Sequence, residues 1–178
     1  MFLADGFETV EALAPADVMR RAGINVVTVS IMGRKTVSSA HGINVEADTL
    51  FGDSDYSDAD ALVLPGGSQG TENLSAFEPL RTLLAQTCEA GRIIAAICAA
   101  PMVFGRIGLL AGRRATCYPG CEADMGSAIM EENKAYVVDG KIITGTSAGC
   151  AIPFGLALVT ALKGSQTAEE VATQIVIR

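Results

Sequence analysis

Residues 93–101 read I-I-A-A-I-C-A-A-P, a buried run of β-formers that reaches Cys98 and passes at once into a helical pattern opened by Pro101. A strand that ends on a potentially reactive side chain and turns sharply into a helix resembles the elbow written G-x-S-x-G, which needs small residues two before and two after the nucleophile. Here those residues are Ala96 and Ala100. Working outward, further β-branched runs fall at 2–4, 24–30, 61–64 and 142–145, with a strand or hairpin at 135–138 turning through Asp139-Gly140. Helical patterns lie between them at 9–22, 76–90, 99–105, 148–162 and 167–175. This alternation predicts an α/β fold with a mostly parallel sheet covered by helices on both faces. Gly23 and Gly91 stand just past two helix ends, where a left-handed cap is wanted. Pro15 is expected to kink the first helix or delay its start. The first strand is short for an interior one, and the natural chain is expected to begin a few residues earlier.

At 178 residues the chain has the size of a single domain. It is 49% apolar and 19% charged, with a mean hydropathy of +0.36, which excludes a disordered chain. Aromatics make up 5% with no Trp, and there are 19 Gly, so the core is expected to be Ala, Val, Ile and Leu. A net charge of −7 argues against a broad nucleic-acid surface and leaves small molecules or proteins as partners. Residues 142–162 carry no formal charge, but Gly145, Thr146, Ser147, Gly149 and Pro153 break them into strand, turn and helix, so no membrane span is expected. The N-terminal segment lacks the pattern of a secretory signal, which places the protein in the cytoplasm with its five cysteines as reduced thiols.

Three loops are expected to meet beyond the carboxyl ends of the strands, where open α/β sheets bind small molecules. Cys98 at a helix N-terminus is expected to have its thiol pKa lowered from about 8.5; the other reading is a small buried hydrophobe in an Ala-rich core. Pro65, Gly66 and Gly67 end another strand with two unshielded amides, which with the Ala99 N–H could cradle an oxyanion, or simply form a tight turn. Glu8 and Glu11 fall three apart near the start of the first helix. Glu8 is expected to offset the helix dipole, whereas Glu11, in apolar company, is expected to stay protonated and hydrogen-bond a nearby thiolate. In T-G-T-S-A-G-C, Thr146 and Ser147 either line the pocket or cap the helix that starts near Ala148, capping being preferred.

With these residues, the sequence resembles the ThiJ/PfpI superfamily, on the branch of the parkinsonism-associated protein deglycase and its bacterial relatives. The resemblance is carried by A-D-G-F-E-T-V-E-A-L-A-P-A-D-V-M-R-R-A-G-I at 4–24, V-L-P-G-G at 63–67 and A-A-I-C-A-A-P at 95–101. It implies a flavodoxin-like three-layer sandwich and a homodimer. It also implies that Cys98 is the oxidation-prone reactive cysteine, Glu11 its protonated partner, and Gly67 with Ala99 the oxyanion donors. The activities it implies are glyoxalase or deglycase chemistry on 2-oxoaldehydes and their adducts, chaperone action and redox sensing. The thiamine-related label attached to such sequences finds no support in these residues.

The chain departs from its resemblance in ways that narrow the chemistry. Ala99 follows the cysteine where peptidase-like relatives have His, and Tyr118 stands where some close relatives have another His. Tyr118 and Cys117 are left as pocket lining. Thr146 stands where some relatives have Arg. The lone histidine, His41, belongs to a surface loop or short hairpin, and a glutamine amidotransferase is disfavoured. Cys117 and Cys121 have no second ligand pair, so zinc is not expected, and no cofactor is called for. Cys88 and Cys150 read as packing residues, and 53–60 as a solvated acidic loop. The reading is a cysteine-dependent, cofactor-free glyoxalase or deglycase acting on a small aldehyde or its adduct. The alternative is a redox-responsive sensor or chaperone that uses oxidation of Cys98.

Overall fold

A computed structural model describes residues 1–177. The chain begins with β1 (Phe2–Leu3), α1 (Thr9–Arg21), β2 (Val29–Ser30), β3 (Thr36–Ser38), β4 (Asn44–Glu46), β5 (Thr49–Leu50) and β6 (Ala61–Leu64). It continues through α2 (Ser68–Ala76), α3 (Glu78–Glu89), β7 (Ile93–Ile97), α4 (Pro101–Arg106), β8 (Arg114–Ala115) and β9 (Ile129–Met130). It ends with β10 (Tyr136–Asp139), β11 (Ile142–Gly145), α5 (Ala151–Lys163) and α6 (Ser165–Gln174).

β6, β7 and β11 run parallel in the order β6-β7-β11, and β10 adds antiparallel to β11. β1, β2 and β5 form a second parallel set, and β1 lies against β6. Strand β7 is buried at all five positions, as a parallel strand covered on both faces must be. Side chains alternate across a strand. Ile93, Ala95 and Ile97 therefore join the core beneath α1, α5 and α6, while Ile94 and Ala96 join the core beneath α2, α3 and α4. Phe7 and Phe154 are fully buried in the first layer and Phe104 in the second; each such side chain contributes about 1.5–3 kcal/mol by leaving water. The sheet and its helices form the expected α/β sandwich.

Three strands, β6, β7 and β11, occupy the ranges expected from sequence. Gly23 and Gly91 take the expected left-handed conformation, with φ of 70° and 69°. Helix α1 starts at Thr9 and runs through Pro15 to Arg21, so the proline does not delay it. The close packing of α5 against it explains how it is held: a Cβ on Gly155 would stand 3.0 Å from Pro15 Cα and 3.2 Å from Val18 Cβ. The expected strand at 24–30 is reduced to Val29–Ser30, which pair with Phe2 and Leu3 on one side and with Thr49 and Leu50 on the other. Helix α2 was not legible, since S-Q-G-T-E-N-L-S-A has no apolar stripe. His41 sits exposed in the turn between β3 and β4, as expected, and the aspartates of 53–60 are all exposed. The uncharged stretch 142–162 divides into β11, a 3-10 turn at Ala148–Cys150 and α5. Among the described residues no helix is long and apolar enough to cross a membrane.

Candidate active site

Three adjacent segments place the site at the carboxyl end of the sheet. Strand β7 delivers Cys98 with φ of 66°, the left-handed region that a non-glycine residue enters at a cost of about 1–3 kcal/mol. Neighbours on two sides fix that conformation: Cys98 N–H donates to Gly145 O at 2.9 Å, and Tyr118 N–H donates to Cys98 O at 2.8 Å. Strand β6 delivers Gly66 and Gly67. Helix α1 delivers Glu11, which is 1% exposed and accepts the Gly66 N–H at 3.0 Å through Oε2. The Glu11 carboxyl and the Cys98 side chain both border Gly66, close enough for each to shift the other's ionisation, and the Gly67 and Ala99 N–H groups favour a negative charge at the sulfur.

Gly66 stands between the two reactive groups. A Cβ at this position would meet Cys98 Cβ and Glu11 Oε2 at 2.6 Å each, and Ile97 O at 2.8 Å. Its N–H is committed to Glu11, so only Gly67 and Ala99 are left to stabilise an anion at the sulfur; this corrects the expectation of a donor role for Gly66. Gly67 has φ of 90°, and a Cβ there would press on Glu8 N at 2.7 Å. Gly66→Ala is expected to separate Glu11 from Cys98 and to lower the thermal midpoint. Because the clash is with backbone as well as side chain, a loss of about 1–3 kcal/mol is expected in a denaturant titration.

The comparisons with known proteins converge on one family. The pattern of the DJ-1/PfpI family matches residues 1–161. The chain belongs to the DJ-1/PfpI family. It is 38% identical over 177 residues to DJ-1 homolog B of Arabidopsis thaliana, an alignment covering 99% of this chain and 40% of that protein, so it spans less than half the length of that relative. It is 34% identical over 142 residues to a protein named deglycase from Pyrococcus abyssi, covering 79% of this chain and 84% of that one. The fold matches that of oxidised Toxoplasma gondii DJ-1 with a TM-score of 0.94 at 32% identity, covering 98% of this chain and 95% of that one.

The electrostatics of this DJ-1/PfpI site correct the sequence reading of an acidified thiol. Burial, the Glu11 charge and the Glu11 hydrogen bond push Cys98 up to about 12, against the smaller opposing pull of the Gly67 and Ala99 N–H groups. Helix α4 has only six residues and begins three positions past the cysteine, so its terminus cannot offset that burial. Burial also raises Glu11 from 4.5 to about 7. The carboxyl thus holds its proton through the acidic range, as its apolar sequence context suggested. Because Glu11 ionises first, the thiol's step near 12 removes a second proton from a site that is already negative. The singly ionised pair has a tautomer with the proton on Glu11 and the charge on sulfur. The Gly67 and Ala99 donors lower the cost of that tautomer, against the larger opposing effects of burial and of Glu11.

The remaining sequence candidates are distributed around the site. Tyr118 supplies its backbone N–H to Cys98 and leaves its ring half exposed. Cys117 is 5% exposed in the core beneath α2, α3 and α4, whereas Cys98 packs against the opposite core. It is therefore a packing residue and not pocket lining. The Thr146 hydroxyl donates to Lys134 O and shares a 3.1 Å hydrogen bond with Thr116. Ser147 makes no side-chain capping bond; its hydroxyl lies 3.8 Å from Cys150 Sγ, so the capping expectation fails. The 3-10 turn that replaces the helix start removes the geometry a cap needs. A groove of about 920 Å³ opens at the opposite end of the sheet, lined by Val27, Asp60, Arg92 and Lys141, and includes none of the candidate residues.

Proposed function

We propose that the chain is a cysteine-dependent enzyme of glyoxalase or deglycase type, acting on small 2-oxoaldehydes or their adducts without an added cofactor. The observation that supports it is the buried Glu11 carboxyl held by the Gly66 N–H beside Cys98 at the end of β7. The sulfur attacks the aldehyde carbon, the carbonyl oxygen takes up a proton, and a hemithioacetal forms. Glu11 as carboxylate then removes the hydrogen on that carbon and returns a proton to the neighbouring one, leaving a thioester of the 2-hydroxy acid. Water cleaves the thioester, frees the acid and restores the thiol. Net, one water is added and no oxidant or reductant is consumed. The deglycase name of the Pyrococcus abyssi relative is in keeping with chemistry of this class. The test is incubation with methylglyoxal in the absence of glutathione, followed by proton NMR. Lactate is the expected product, and methylglyoxal recovered unchanged overturns the reading.

A further inference from the structure

We propose that Glu8 is a positioning residue of this site: it closes a hydrogen-bonded circuit that presents Glu11 to Cys98 and sets a carboxyl charge beside it. The proposal rests on the Cys98–Glu11 reading above and extends it to a residue that acts only through Glu11.

The circuit has three members. Glu8 N–H donates to Gly66 O at 2.9 Å, Glu11 N–H donates to Glu8 Oε2 at 2.8 Å, and Gly66 N–H donates to Glu11 Oε2 at 3.0 Å. Glu8 is the N-cap of α1, with extended φ and ψ of −82° and 125°, and Glu11 is the third helical residue. Those two positions ordinarily bond each other reciprocally, the cap side chain to the third N–H and the third side chain back to the cap N–H. Here only the first half is kept. The other half is opened, and the Gly66 peptide is inserted: its oxygen takes the Glu8 N–H and its N–H takes the Glu11 carboxyl. The helix cap therefore doubles as a mount, fastening Glu11 to the loop that lies against Cys98. Glutamate is an unusual cap, since Ser, Thr, Asp and Asn lead at this position. A neutral cap would hold the backbone equally well; the ionised carboxyl adds repulsion that disfavours a second charge on Glu11.

The groups that act on Glu11 are few. Burial raises its pKa most, the Cys98 hydrogen bond lowers it, the Glu8 charge raises it again, and the Gly66 N–H lowers it. Glu8 comes from α1, Cys98 from the elbow after β7, and Gly66 from the loop after β6. Glu8 is the one other side-chain charge in that set.

The test is the rate of Cys98 alkylation by iodoacetamide, read at the Cys98 peptide by mass spectrometry across the pH range on both sides of the Glu11 ionisation, in the full chain. Glu8→Gln keeps an amide oxygen for the Glu11 N–H but removes the charge. Its midpoint is expected to fall by about half a unit to one unit, and its rate on the alkaline side of that midpoint by about three- to tenfold, as the thiolate tautomer becomes rarer. Glu8→Asp keeps both charge and cap and is expected to restore the wild-type midpoint. A Glu8→Gln profile that overlays the wild type overturns the proposal, as does a Glu8→Asp profile that matches Glu8→Gln. Glu11→Gln separates this failure from that of the underlying reading: if it too leaves the profile unchanged, the Cys98–Glu11 pairing itself is wrong.

Discussion

Cys98→Ser is expected to form lactate from methylglyoxal about a thousandfold more slowly than the unaltered chain, or slower still. A serine hydroxyl is a weak nucleophile unless a base removes its proton, and none within reach is strong enough. Glu11 as carboxylate ionises near 7, far below an alcohol, and the lone histidine, His41, is exposed in the turn between β3 and β4. A thiol is intrinsically more acidic and more nucleophilic than an alcohol, so the Glu11 carboxylate with the Gly67 and Ala99 N–H groups can activate sulfur where it cannot activate oxygen. Serine is close to cysteine in size and keeps the backbone bonds to Gly145 and Tyr118, so circular dichroism is expected to stay unchanged. A residual rate within tenfold of wild type would place the chemistry outside this site.

Glu11→Gln is expected to lower the turnover of the same substrate by about 10²–10⁴-fold, the range that a positioned proton-transfer group supplies. The amide still accepts the Gly66 N–H, so the loss reports proton transfer and not collapse of the loop. A second signature follows from linkage. The folded pKa of Glu11 is about 7 against an ordinary 4.5, so between those values the folded chain binds a proton that the unfolded chain has released. The stability contributed by this group is therefore present below about pH 4.5 and is lost as pH rises through 7. Denaturant titrations of Glu11→Gln are expected to lack that decline. A wild-type decline that survives in the variant would assign it to another group.

The sheet was legible because buried parallel strands leave an unmistakable record: A-L-V-L, I-I-A-A-I and I-I-T-G each end at the residue the sequence indicated. Strand β2 was overestimated because I-N-V-V-T has strand propensity, yet pairing is decided by the neighbour available to it. Helix α2 left no trace in hydrophobic period. The positions of Cys98 and Gly67 just past strand ends, and of Glu11 near the start of the first helix, were legible from sequence. The sign of the Cys98 shift was misread because sequence shows a helix start but not how deeply the thiol is covered. Cys117 was misplaced because alternation turns neighbouring residues to opposite sides, and Tyr118, not Cys117, stands toward solvent. The spacing role of Gly66 is a matter of ångströms across three segments that lie far apart in the chain, and no local pattern encodes that.

The left-handed backbone at Cys98 has an implication for engineering. Glycine is the residue that such a dihedral suits best, so the version of this molecule most resistant to heating carries no sulfur at that corner. A laboratory selection that rewards thermal endurance alone is expected to drift toward an inert scaffold, and any campaign to harden the protein must screen for chemistry at every round.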